Sequence, residues 1–327
     1  MDRKLFSLEE TAKMILSGKK LLLAGDEKLL SKLPSGDWIA GTCDYFIAKE
    51  GGKECKDKIF VTDITDFQDE IIIKTYDDNT LKNIYAEAFD NGVTVLIIPP
   101  YSAVHSSFAL NAPSYEKFAQ TPLVGWVASH IFYPDRAPDK GYVFASSVAS
   151  KTTDKAVAMH IRLKKGKYAD LNLINFYSQD GEGGDEIEFL EDGFEVQDVL
   201  INGEKKNFAD YIIHKQIDIK LPLVIDLDSV KINTSLYCLA DGKVKFFAPV
   251  FKGFVYKFAK ASENLEKDFL KIAPDKMPTF AVICILNYFY ASLQGKHLDA
   301  LYAPVANGEI CYQLVNQTIV TMDIKDI

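Results

Sequence analysis

Two rhythms of apolar residues run along this chain. Short, dense apolar runs rich in β-branched residues read as buried strands, and runs with apolar positions three and four apart read as helices. The stretch from Gly92 to His130, GVTVLIIPPYSAVHSSFALNAPSYEKFAQTPLVGWVASH, shows both rhythms most clearly. Val93 to Ile98 reads as a strand covered on both faces, and Pro99-Pro100 ends it because proline cannot donate to a ladder. Ser102 is placed to cap a helix starting at Ala103. Leu123 to Ile131 then reads as a second strand.

The same pattern predicts further elements on either side. Ser7-Leu-Glu-Glu10 is a capping box for a helix carrying Leu8, Ala12, Ile15 and Leu16. Lys20 to Ala24 is a strand, and Asp26 opens a short helix ending near Pro34. Trp38 to Phe46 reads as one strand, with Trp38, Ala40, Thr42, Asp44 and Phe46 on one face. Ile59 to Ile64 and Glu70 to Tyr76 are strands, and Thr80 to Phe89 an amphipathic helix. Downstream, Ala156 to Leu163 and Tyr168 to Tyr177 are strand-like. Asp192-Gly193, Asn202-Gly203 and Asp241-Gly242 read as turns, two of them in hairpins. Phe208 to Lys215 and Glu263 to Ile272 are helices. Phe280 to Leu293 is apolar all round and reads as a helix buried on every side. Ile310 to Val315 and Thr318 to Ile324 close the chain as strands.

The fold class expected is α/β to α+β, with mixed β-sheets covered by helices. The N-terminal half is nearer to alternating β and α, and the C-terminal half richer in antiparallel hairpins. The polar loop Pro134 to Gly141 suggests two parts, 1–135 and 136–327.

Composition narrows the function. The chain has 327 residues, 46 acidic against 37 basic, for a net charge of -9. That argues against a general nucleic-acid binder and against attraction to an anionic membrane. Five cysteines, an odd count without close pairs, suit reduced and mostly buried thiols. Glu9, Glu10 and Lys13 interrupt the N-terminal apolar stretch, so no signal peptide is expected and the chain is placed in the cytoplasm. No P-loop, G-x-G-x-x-G after a strand, C-x-x-C, H-E-x-x-H or G-x-S-x-G occurs, so neither a cofactor nor a metal is expected.

A few residues can carry chemistry. Ser102, His105 and Ser106 fall in the first turn of the predicted helix, where free N–H groups would meet an anion. The bland alternative is a histidine bonded to a neighbouring loop. Trp126 and His130 share a strand face and would floor a pocket, or simply pack in the core. His160 and Arg162 share a face, and Arg162 would fork onto a carboxylate or form a structural ion pair. Thr42 and Asp44 pair on the Trp38 strand, where a carboxylate among apolar neighbours needs partners or a site. No catalytic set assembles from these.

The C-terminal run Pro304-Val-Ala-Asn-Gly-Glu-Ile310, then Leu314-Val-Asn-Gln-Thr-Ile-Val320, follows the apolar segment Ala281 to Tyr288. Together these resemble the C-terminal half of FIST sensory domains. Gly36 to Gly41 and Val93 to Ile98 suit that family's N-terminal half. The resemblance implies a sensor of small molecules, such as amino acids or small carboxylates, acting here through a signalling protein partner because no output segment is attached. It supplies no residue-level ligand set. The expectation is therefore a receptor with a cleft at the proline pair; the rivals are a hydrolase or transferase, and a protein-binding scaffold.

Overall fold

The computed structural model describes residues 4–129, 140–146, 150–181, 183–227, 230–272, 276–299 and 301–327. It has an α+β fold of mixed and antiparallel sheets. The chain divides into two compact units, and both are discontinuous. The first takes residues 1–173, 266–313 and 319–327; the second takes 174–265 and 314–318. The chain visits each unit more than once, and residues 130–139, which hold most of the loop proposed as a boundary, lie outside the described residues.

Three sheets build the first unit. One has the order β1 (Leu5–Phe6), β6 (Ile59–Asp63), β2 (Leu21–Gly25), β3 (Trp38–Thr42), β10 (Val143–Ala145) and β11 (Ser150–Thr152). β2 and β3 are parallel, and the other pairings are antiparallel. α1 (Leu8–Leu16) begins with the capping box the sequence predicts: Ser7 Oγ accepts from Glu10 N–H, and Glu10 accepts from Ser7 N–H at 2.8 Å. Asp26 caps α2 (Glu27–Leu30), accepting from Lys28 N–H at 2.8 Å.

The second sheet includes β25 (Glu309–Cys311), β9 (Leu123–Val127), β8 (Gly92–Ile98), β12 (Ala156–Leu163) and β7 (Gln68–Tyr76) in that order. β8 is buried along its whole length, as the dense apolar run requires. It is parallel to β9, and α3 (Ala103–Asn111) lies between them in sequence. The third sheet runs β13 (Lys167–Ile174), β27 (Ile319–Asp326), β23 (Phe280–Cys284), β24 (Ala303–Ala306), β4 (Tyr45–Ala48) and β5 (Gly51–Glu54).

The second unit is built of antiparallel sheets. One runs β17 (Glu204–Asn207), β16 (Asp198–Ile201), β14 (Ile187–Phe189), β22 (Val255–Phe258), β18 (Leu223–Asp226) and β19 (Lys231–Thr234); the other runs β15 (Gly193–Val196), β21 (Lys243–Val250) and β20 (Leu236–Ala240). α4 (Phe208–Lys215) packs Phe208, Ala209 and Ile212 into their shared core with Phe189, Phe246 and Tyr256. Asn202-Gly203 and Asp241-Gly242 are two-residue hairpin turns with φ positive at both positions, which is why Asn-Gly and Asp-Gly occur there. Asp192-Gly193 is not such a hairpin, since β15 pairs with β21.

The short segment that includes β26 (Gln313–Val315) carries the chain from the first unit into the second. Side-chain amides hold it there. Gln317 accepts from Ser235 Oγ at 2.6 Å and donates to Tyr177 Oη at 2.9 Å and Lys220 O at 3.0 Å. Asn233 donates to Asn316 O at 3.2 Å and exchanges amide bonds with Asn175.

Three sequence expectations are corrected here. Trp38 to Phe46 is not one strand: the chain breaks at Cys43-Asp44, leaving the first sheet as β3 and entering the third as β4. Alternation continues across the break, so periodicity alone does not reveal it. Phe280 to Leu293 is a buried strand followed by α6 (Ile285–Tyr290). A continuous apolar run fits both states, and pairing of β23 with β24 and β27 decides for strand over its first half. Thr80 to Phe89 is not a helix. It forms successive turns around a single 3-10 turn at Leu81–Asn83, yet Leu81, Ile84 and Tyr85 are still buried.

Candidate ligand-binding site

A cavity of about 300 Å³ opens in the first unit between α2, the loop after it, and the strand pair β3–β10. Leu30, Leu33, Trp38, Phe144 and Ala145 give it apolar walls; Ser31, Ser35, Ser146 and Lys151 add polar atoms. The register Phe144↔Ala40 and Ala145↔Ile39 sets Phe144 beside the Trp38 face of β3. Trp38 and Phe144 belong to one apolar cluster with Ile15, Leu21 and Leu23 behind them.

The loop forming the cavity's rim is pinned at both ends. Trp38 Nε1–H donates to Pro34 O at 2.9 Å. Ser146 Oγ donates to Gly36 O at 2.7 Å and accepts from Gly36 N–H at 2.8 Å. Gly36 itself allows the close approach of α1, since a Cβ there would lie 2.4 Å from Ile15 Cγ2. Lys151 is ion-paired with Glu27, and its ammonium stands 4.9 Å from the Tyr142 ring centroid. The hydrogen bond to Glu27 raises the lysine's pKa, keeping it charged. The site is thus a partly open hollow with a fixed aromatic wall, three serines and one cation, a mix of apolar surface and a few polar groups that a small molecule can use.

The residues singled out from sequence lie elsewhere. Ser102 does cap α3: its Oγ accepts from His105 N–H at 3.2 Å and donates to Pro99 O at 2.7 Å. Its one proton is therefore committed away from the imidazole, and no serine–histidine nucleophile pair is set. His105 is buried, and its Nδ1 accepts from Tyr101 N–H at 3.3 Å. Burial lowers its pKa from 6.5 to about 4, so the ring is neutral. Ser106 is exposed on α3. Neither this cavity nor the one beside α4 in the second unit borders the proline pair.

Trp126 is buried in the core and stacks on Phe280 at 6.0 Å. Its indole covers Gly41, where a Cβ would lie 2.8 Å from Nε1. His130 lies outside the described residues. Thr42 Oγ1 accepts from Tyr142 N–H at 3.0 Å, while Thr42 O accepts from Ser129 N–H at 2.8 Å. Asp44 is fully buried at the break between β3 and β4. Nearby, Cys43 Sγ–H points at Tyr45 O and Val305 O, both 3.1 Å away, and burial pushes its pKa up to about 12. That cysteine is an inert thiol.

Arg162 is exposed, pairs with Glu70 at 3.1 Å and covers the Phe89 ring. It lies opposite Gly92, at the start of β8, whereas Ser102 lies beyond that strand's end. Seven strand residues, roughly 20 Å at the usual rise, separate the two ends. His160 is buried between Thr94 Oγ1 and Tyr76 Oη, both at 2.8 Å, and burial lowers its pKa to about 4. Among the described residues, none of the nominated set lines the cavity beside Trp38 or the one beside α4. No local pattern links the walls of the cavity, which come from residues 30–38, from Phe144, Ala145 and Ser146, and from Lys151. The one local signal is a tryptophan directly after a capped turn of helix that ends at proline.

The whole-chain comparison bears on all of this. A family model matches residues 6–325, which takes in both units, and it describes a family of unknown function, DUF6976. The chain belongs to the DUF6976 family. No curated protein matches it. Among the described residues of this DUF6976 chain, no helix is long and apolar enough to cross a membrane, and no group of three or more histidine, cysteine or acidic side chains is placed to hold a metal.

Proposed function

We propose that this DUF6976 chain is a small-molecule receptor whose site is the cavity beside Trp38. The observation that carries the reading is the preformed hollow of about 300 Å³ walled by Leu30, Leu33, Trp38 and Phe144. Its volume stands at the lower end of ordinary ligand pockets and suits a compact guest, such as a monocyclic or short-chain molecule. The FIST resemblance of the C-terminal run supports a sensory role in the cytoplasm, exercised through a protein partner. The hydroxyl of Ser102, turned to Pro99 O, speaks against the hydrolase alternative.

The test is a thermal-shift panel of small carboxylates, amino acids and aromatic alcohols on the wild type and on Ser35→Phe. Ser35 is exposed at the cavity wall, so the larger side chain plugs the hollow without disturbing the core. A guest at a hundredfold its dissociation constant adds about 2.7 kcal/mol to the wild type. The shift is expected to vanish in the plugged variant. A flat panel on folded protein, or a shift unchanged by Ser35→Phe, contradicts the reading.

A further inference from the structure

Among the described residues that line the cavity beside Trp38, one side chain is ionisable, Lys151. Lys151 is held at the rim by Glu27, which does not itself line the cavity. Accepting the binding reading above, we infer that the guest is an apolar monocarboxylate, an aryl or short alkyl acid, whose carboxylate takes the place of Glu27 on Lys151. Three features support this class. The walls offer hydrocarbon and aromatic surface to the tail. One carboxylate replaces another, so the Lys151 ammonium stays paired throughout, and the displaced Glu27, already partly exposed, turns its carboxylate to water. Among the described residues that line the cavity none is acidic, so the ammonium of a free amino acid held against that lining would lose water without an ion partner in it. The Ser146 hydroxyl is spent on Gly36, which leaves Lys151 as the charged group that recognises the anion, with the Ser31 and Ser35 hydroxyls also on the lining.

The Glu27–Lys151 pair then sets the affinity. Both side chains are partly exposed, 28% and 44%, so the pair opens at modest cost. Removing the competing carboxylate should strengthen binding, which a purely structural role for the pair would not do.

The experiment is calorimetric titration at low salt with 3-phenylpropanoate, 3-phenylpropanol and phenylalanine. The proteins are the wild type, Lys151→Gln and Glu27→Gln, each checked for folding by circular dichroism. The acid is expected to bind the wild type most tightly. Lys151→Gln should weaken the acid roughly two- to fivefold and leave the alcohol unchanged, and Glu27→Gln should tighten the acid by a similar factor. Equal affinity for acid and alcohol with no effect of Lys151→Gln overturns the anion inference and leaves the cavity reading standing. Phenylalanine binding tightest overturns it too. Absence of binding by all three compounds overturns the cavity reading and this inference with it.

Discussion

Two histidines make acid stability a residue-scale property of this fold. His105 and His160 are both buried, with pKa values lowered from 6.5 to about 4 by burial. Above pH 6.5 each ring is neutral whether the chain is folded or not, and contributes no pH dependence. As pH falls below 6.5 the unfolded chain takes up protons that the folded chain refuses, so stability drops until about pH 4. Each shift corresponds to about 3 kcal/mol at most. Urea unfolding at pH 7.5 and pH 5.0 should show a loss of stability that shrinks in His160→Gln, because glutamine can still bond Thr94 and Tyr76. Equal losses in the two proteins would remove His160 from the account.

Close backbone approach sets a second residue-scale limit. A Cβ at Gly125 would stand 1.8 Å from Leu96 O on the parallel neighbour β8. The obstacle is backbone and cannot turn aside. Gly125→Ala should cost about 3 kcal/mol or more, or prevent folding. Gly181→Ala meets nothing within 4 Å and should change stability by less than about 0.5 kcal/mol. Chemical denaturation of both variants checks the contrast.

At the scale of elements, the Gln317 and Asn233 amides explain why five residues near the C-terminus belong to the second unit. Gln317→Ala would remove the buried amide that bonds Ser235 Oγ, Tyr177 Oη and Lys220 O together. The expected cost is about 2–3 kcal/mol, seen as a lowered urea midpoint. A change within about 0.5 kcal/mol would show that the network does not hold the segment. Local signals made much of the architecture legible. The Ser7 box, the Ser102 cap, the β8 run and the Asn202-Gly203 and Asp241-Gly242 turns each form where their residues require. Legibility failed where the decision is made by distant partners. Phe280 to Cys284 becomes strand because β24 and β27 flank it, and the Cys43-Asp44 break exists because two sheets compete for one apolar run. The site was the least legible part. Ser102 Oγ takes the His105 backbone N–H and His105 Nδ1 takes the Tyr101 N–H, so the features that drew attention to them are the ones that close that turn. The cavity needs residues 30–38 together with Phe144, Ala145, Ser146 and Lys151, and the β3–β10 pairing brings the two stretches side by side.

At the scale of the molecule, the first unit holds the proposed site, and the second unit has its own core around Phe208 and Phe246. The chain carries two tryptophans, and they lie on opposite faces of β3. Trp38 faces the cavity with its N–H bonded to Pro34 O; Trp126 covers Gly41 in the core behind. The two indole N–H signals in a nitrogen–proton NMR spectrum therefore report the site and its internal control at once. Titration with 3-phenylpropanoate should move the Trp38 signal along a saturating curve while the Trp126 signal stays in place. A Trp38 signal that stays fixed to millimolar ligand, or a shift confined to Trp126, would contradict the claim that this hollow is where the chain binds its guest.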